Sequence, residues 1–273
     1  MKDLKELSKI TREVRKSILT MSARAKSAHM GGALSVVEIL VTLYYQVLKN
    51  YPKKPDDPKR DRLIFSKAHD AKALFAVLAE RGYFDKKILE GYEMDGGILA
   101  GHSVRHVVPG VEASAGALGH GLSIAAGVAL AGKKLGQTYK TYAILSDGEC
   151  DEGSTWEAAL FAGHHALENL IVVIDQNNLQ GYGFTKDVLN LEPFTKKWES
   201  FGFGTKEVDG HDMKKLSEVF SKTPFKKGKP SVVIAHTIKG LGGMKQHIGQ
   251  ISSQYKPPTQ DELIELLKDL EKS

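Results

Sequence analysis

Thr141-Tyr-Ala-Ile-Leu-Ser-Asp-Gly148 and Leu170-Ile-Val-Val-Ile-Asp-Gln-Asn177 decide the fold. Each is an apolar run closed by a polar residue, Asp147 in the first and Asn177 in the second. Between them, Ser154 to Leu167 has helical composition. The order strand, helix, strand implies a crossover between parallel strands, which is almost always right-handed. The carboxyl ends of the two strands then lie side by side, at the edge where open α/β sheets bind ligands. Asp-Gly after a strand is an ordinary turn, and Asn ordinarily ends strands, so either residue alone would be structural. Together they offer hard oxygen donors suited to Mg²⁺ or Ca²⁺ carrying a diphosphate.

Outward from this unit, strand and helix patterns alternate. Leu4, Leu7, Ile10, Val14 and Ile18 recur at three- and four-residue steps and predict an amphipathic helix. Gly31-Gly32 reads as a break, and Ser35-Val-Val-Glu38 as a capping box opening a helix towards Lys49. Arg62 to Phe65 is a short strand, Ala71 to Arg81 a helix, and Ser123 to Lys134 a small-residue helix. The glycine-rich segment from Gly82 to Gly121 is too long for an idle connection. Thr205 to Val208 and Ser231 to Ala235 are further strands, with helices at Met213 to Phe220 and Asp261 to Leu270. The expectation is one α/β domain over residues 1–273, a mostly parallel sheet flanked by helices.

Bulk properties narrow the function. The net charge of +5 comes from Lys and Arg spread along the chain, and the densest cluster, Lys49 to Arg62, also holds three Asp and three Pro. A solvated loop explains that cluster better than a nucleic-acid surface. No apolar run approaches the roughly 20 residues of a membrane helix, and the charged N-terminus does not read as a secretory signal. The single cysteine, Cys150, excludes an intrachain disulfide framework, and a reducing cytoplasm is the expected compartment.

Ser146-Asp-Gly-Glu-Cys-Asp-Glu-Gly153 followed by Asn177-Asn-Leu179 resembles the thiamine-diphosphate motif. Trp156 to His165, Phe65-Ser-Lys-Ala-His69, Leu99-Ala-Gly-His102, Pro109-Gly-Val-Glu112 and Leu118-Gly-His-Gly121 resemble the transketolase family. So do Val208-Asp-Gly-His-Asp212 and Ala235-His-Thr-Ile-Lys-Gly240. The resemblance covers nearly the whole chain and stops with the family's diphosphate-binding domain. It implies a thiamine-diphosphate-binding fold, in the N-terminal subunit of a split transketolase. The partner chain would bring the pyrimidine-binding domain, as a dimer of heterodimers acting on sugar phosphates or related sugars.

By the same resemblance, Asp147 and Asn177 would ligate the metal with their side chains and Leu179 with its carbonyl. Gly116 and Leu118 would meet the aminopyrimidine, and Gly148, Glu149 and His69 would border the cofactor. His29, His69 and His102 correspond to active-site histidines, with His29 favoured to take the donor's C3 hydroxyl proton. Glu152 and Glu157 correspond to acids of the proton network at the subunit interface, although negative charge at a helix N-terminus needs no such role. His106, His164, His165 and His211 read as structural.

Departures from the family pattern shape the substrate expectation. Ala28-His-Met-Gly-Gly32 stands for Gly-His-Pro-Gly-Gly, Ser146-Asp-Gly148 for Gly-Asp-Gly, and Lys67-Ala-His69 for Lys-Gly-His. In Ser253-Gln-Tyr-Lys-Pro-Pro258, Gln254 occupies the place of a further active-site histidine, with His247 nearby to compensate. The first reading is transfer of a two-carbon ketol unit from a ketose or ketose phosphate to an aldose acceptor, as in the pentose phosphate pathway. Glutamine hydrogen-bonds but takes no proton, which puts the ordinary sugar phosphate in question and supports the alternative, a specialised sugar or sugar conjugate. A noncatalytic cofactor-binding subunit is the third reading.

Overall fold

The two apolar runs form neighbouring parallel strands. In the computed structural model, which describes residues 2–272, five strands make one sheet. These are β1 (Arg62–Phe65), β2 (Thr141–Ser146), β3 (Leu170–Gln176), β4 (Gly204–Asp209) and β5 (Ser231–His236). Their order is β1-β2-β3-β5-β4 and every pairing is parallel. β2 and β3 run in register from Thr141 opposite Leu170 to Ser146 opposite Asp175. Asp147 and Asn177 therefore leave the sheet next to each other.

Helices cover both faces, which is why the central strands read as continuous apolar runs. The first six are α1 (Leu4–Ala25), α2 (Met30–Ser35), α3 (Val37–Thr42), α4 (Ala71–Arg81), α5 (His120–Lys134) and α6 (Gly153–His164). Side chains alternate across a strand. Tyr142, Ile144, Ile171, Val173 and Val233 accordingly pack into one core with α1, α3 and α4. Ala143, Leu145, Val172, Ile174, Val232 and Ile234 pack into the other, with α5, α6 and Trp198. No helix among the described residues is long and apolar enough to cross a membrane.

Two expectations about the first fifty residues fail for the same reason. Gly31 and Gly32 lie inside α2, where they permit close packing: a Cβ would strike Ser253 at the first position and the Asp70 carboxylate at the second. Ser35 ends that helix. Its hydroxyl donates to the Gly32 carbonyl (3.0 Å) and to Asp175 Oδ2 (2.6 Å), while Glu38 pairs with Arg15 at 2.6 Å. Tertiary partners thus replace the expected capping box. α5 begins at His120, three residues before the expected start. Between Gly82 and that helix the chain is irregular and free of strands, apart from one short helix at Lys86–Gly91.

Candidate active site

A cavity of about 300 Å³ lies at the carboxyl ends of the strands. It gathers nine of the residues expected at the site: His29, His69, His102, Gly116, Leu118, Asp147, Gly148, Asn177 and Leu179. At one end, the turn after β2 and the turn after β3 lock together. Asp147 Oδ1 accepts from the Gly148 N–H (2.9 Å). Its Oδ2 accepts from the Asn178 N–H (2.6 Å) and from Thr185 Oγ1 (3.3 Å). Asn177 Oδ1 accepts from the Leu179 N–H at 3.1 Å. Burial, reinforced by the nearby Asp175 carboxylate, raises the Asp147 pKa to about 6. A buried acid of that kind gains from a cation placed against it.

Lys239 supplies one such cation. It is buried, lines the cavity, and donates from Nζ to the Leu179 carbonyl oxygen at 2.9 Å. Its loop after β5 is pinned from two sides, by the Ile238 N–H donating to His211 Nε2 (2.9 Å) and by Arg15 Nε donating to the Leu241 carbonyl (3.4 Å). His211, expected to be structural, is part of that anchor. Lys239 stands within the family-like stretch Ala235 to Gly240, but nothing in the local pattern signals that its ammonium turns inward.

The other end carries the histidines. His29 sits at the head of α2 with φ +64°, a left-handed conformation uncommon outside glycine, asparagine and aspartate. Its backbone N–H donates to the Gln254 carbonyl at 2.6 Å, and its Nδ1 meets the Gln254 carboxamide. The His29 and His69 ring centroids are 5.2 Å apart. Burial lowers the His29 pKa to about 4, against a partly compensating Asp70 carboxylate. Gln254 lines the cavity, whereas His247 is not among its lining residues and binds Ser252 Oγ at 2.7 Å through Nδ1. Compensation by His247 is therefore not supported by its position.

A buried ionic floor joins the two ends, and no local pattern in the sequence announces it. Lys67 Nζ lies 3.0 Å from Asp70 Oδ2 and also pairs with Asp175. Asp175 further accepts from Ser35 and Thr237. Although burial opposes charge on Asp70, the Lys67 ammonium beside it prevails and holds its carboxyl well below the usual range. Lys67 is held above the ordinary lysine value against the same burial, by Asp175 and Asp70.

Three expected residues do not line the cavity. Glu149 is buried behind it, where it accepts from the Gly119 N–H (2.9 Å), the Ser146 N–H (3.3 Å) and Ser66 Oγ. These bonds steady the loop that brings in Gly116 and Leu118, so the structure places Glu149 as a support and not as a wall of the site. Glu152 and Glu157 stand on the outside, at the start of α6 and on its exposed face. Helical spacing puts Glu157 beside Leu160 and Phe161, which are 62% and 40% exposed, and α5 next to them shows Ile124 at 38%.

The chain is similar to known proteins over nearly its whole length. Residues 8–270 match the family model described as transketolase, thiamine diphosphate binding domain. The chain is 44% identical over 268 residues to one subunit of the apulose-4-phosphate transketolase of Actinobacillus succinogenes, covering 97% of this chain and 96% of that protein. It is 36% identical over 259 residues to a 6-deoxy-6-sulfo-D-fructose transketolase subunit of a Clostridium species, covering 95% and 94%. Among solved structures, transketolase from Leishmania mexicana superposes with a TM-score of 0.92 at 29% identity, over 97% of this chain and 41% of that one. The chain belongs to the transketolase family and has the fold of its thiamine diphosphate binding domain.

Proposed function

We propose that this chain is the cofactor-binding N-terminal subunit of a two-chain transketolase, which moves a two-carbon ketol unit from a ketose to an aldehyde acceptor. The observation that carries the reading is the meeting of Asp147, Asn177 and the Leu179 carbonyl at two adjacent strand ends, with Lys239 against them in one cavity. A carboxylate, a carboxamide oxygen and a backbone carbonyl are the hard donors that Mg²⁺, or Ca²⁺ in its place, prefers. Among the described residues no group of three His, Cys, Asp or Glu could hold a metal unaided. Diphosphate oxygens and water would fill the remaining positions, and Lys239 would offset the diphosphate charge. Gly116 has no chain atom within 4 Å of where a Cβ would stand, which leaves room for the aminopyrimidine.

When bound, thiamine diphosphate supplies the electron sink for carbon–carbon bond cleavage. The protein's own share is to orient the sugar and move protons. His29, His69 and His102 line the same cavity and would offer three polar contacts to sugar hydroxyls. The partner would dock over the exposed apolar face of α5 and α6, where Ile124, Leu160 and Phe161 await cover and Glu152 and Glu157 stand beside them. Relatives named as subunits are matched over 94–96% of their length, whereas the chain spans 41% of the Leishmania enzyme. That contrast supports a separate partner chain, assembled as a dimer of heterodimers. Gln254 and the sugars named for the two similar subunits favour a specialised ketose, phosphorylated or otherwise anionic, over a common pentose phosphate.

Calorimetry tests the cofactor site. The wild-type chain in its complex should bind thiamine diphosphate only with Mg²⁺ present. Asp147→Ala should show no binding while its circular dichroism is unchanged. Equal affinity in the two proteins would refute the metal assignment.

A further inference from the structure

Lys239 enters the cavity from the loop after β5, and part of what holds that loop lies outside the cavity. Ile238, the residue before it, donates its backbone N–H to His211 Nε2 at 2.9 Å. Leu241, two residues after it, accepts from Arg15 Nε at 3.4 Å. Both arms end on one carboxylate. Arg15 meets Glu38 through two nitrogens, with Nη1 2.6 Å from Oε1 and Nη2 3.0 Å from Oε2. His211 Nδ1 lies 3.1 Å from that same Oε2. Arg15, Glu38 and His211 are not among the residues that line the cavity.

The protonation of this trio follows from its partners. A backbone N–H only donates, so His211 Nε2 is the acceptor and carries no proton. The ring proton therefore sits on Nδ1 and is donated to Glu38. Glu38 is buried near the start of α3. Although burial opposes its charge, the His211 hydrogen bond and the Arg15 guanidinium prevail and hold its carboxyl below the usual range. An ionised Glu38 thus orients both the imidazole and the guanidinium, and each of these grips one side of the loop. Gly242 completes the fit: its φ is +83°, and a Cβ there would strike Arg15 Nε.

Two backbone bonds hold the turn itself, from the Gly240 N–H to Gly31 and from the Gly249 N–H to Lys239. The side chain of Lys239 has less to define it. Among the described residues its Nζ makes one hydrogen bond, to the Leu179 carbonyl, which leaves two of its three N–H donors for a ligand. Where those donors point depends on the backbone that carries them. We propose that Arg15, Glu38 and His211 are positioning residues, a clamp that aims the Lys239 ammonium at the anionic diphosphate of the cofactor. The inference rests on the proposed transketolase reading and deepens it. No member of the clamp touches the ligand; each acts through the backbone on either side of Lys239.

Nitrogen-15 NMR of the histidine-labelled full chain reads the His211 tautomer without any cofactor, with its signals assigned by their loss in His211→Ala. The ring should be protonated at Nδ1 and accepting at Nε2, and protonation at Nε2 overturns the proposal. A double-mutant cycle on thiamine diphosphate affinity, by calorimetry on the assembled enzyme with Mg²⁺, then separates aiming from general support. His211→Ala should weaken binding about tenfold, the scale of one hydrogen bond. His211→Gln, whose carboxamide oxygen can take the Ile238 N–H, should restore most of that loss. In a Lys239→Met background, His211→Ala should weaken binding no further. An equal loss in both backgrounds overturns the proposal, as does no loss from His211→Ala where Lys239→Met alone weakens binding. Wild-type affinity in Lys239→Met would instead overturn the placing of Lys239 at the diphosphate, and the proposal with it.

Discussion

At one end of the cavity, Asp147, Asn177 and Leu179 follow directly from two paired strands. At the other, His29, His69, His102 and Gln254 come from four segments with no strand pairing among them. The first end is a product of sheet topology: once β2 and β3 are parallel neighbours, their carboxyl ends must meet. The second is a product of docking. It depends on α2 packing tightly enough against Ser253 and Asp70 to need two glycines, and on an irregular loop being held by Glu149. On the proposed reading, the residues that would hold the cofactor rest on the sheet, and those that would meet the sugar rest on segments docked against it.

Asp175 is the sharpest place to stress that division, because it sits in β3 yet holds Lys67 from the histidine side. Asp175→Asn should destabilise the fold by about 2–3 kcal/mol, since it weakens the hydrogen bonds that the carboxylate accepts from Ser35, Lys67 and Thr237 while Lys67 keeps Asp70. Urea unfolding measures it. A loss below about 1 kcal/mol, the scale of an exposed ion pair, would mean that the two ends are not joined through this floor. Next in size, Lys239→Met should weaken thiamine diphosphate binding by about 10- to 100-fold, the worth of one charge-assisted hydrogen bond. An unchanged dissociation constant would remove Lys239 from the diphosphate end.

The smallest effect belongs to the histidine end. The unfolded chain protonates His29 near the ordinary value of 6.5, whereas the folded chain does so only near pH 4. Over that interval the unfolded state binds more protons, so this group's contribution to stability is present above 6.5 and is lost as pH falls towards 4. Because the ring is only partly enclosed, solvent screens the effect. His29→Asn should flatten the acid limb of the stability–pH profile. An identical limb in the variant would show that the ring is not desolvated.

Legibility in the sequence follows the same division. The apolar runs to Leu145 and Ile174 disclose both the parallel sheet and the position of Asp147 and Asn177, because a strand buried on both faces cannot hide its composition. The amphipathic α1 is equally plain: Leu7, Ile10, Val14 and Ile18 are all buried. His29, His69 and His102 are found only through family resemblance, since a lone histidine carries no local signal. Lys67 and Asp70 escape notice because what makes them a cluster with Asp175 is a contact across 108 residues. Gly31-Gly32 reads as a break because local propensity says nothing about Ser253, far along the chain. Glu149 falls to the cofactor by its place in a motif, and its neighbours Gly119 and Ser66 show that it holds a loop instead.

On the proposed reading, Asp147, Asn177 and the Leu179 carbonyl would hold a divalent ion that also carries the diphosphate. Mn²⁺ in place of Mg²⁺ makes that contact visible by pulsed electron paramagnetic resonance. With thiamine diphosphate bound to the assembled enzyme, the Mn²⁺ signal should show phosphorus hyperfine couplings from directly coordinated phosphate oxygens, and Asp147→Ala should abolish them. Retained couplings in that variant, or Mn²⁺ bound with no phosphorus coupling in the wild type, would contradict the account.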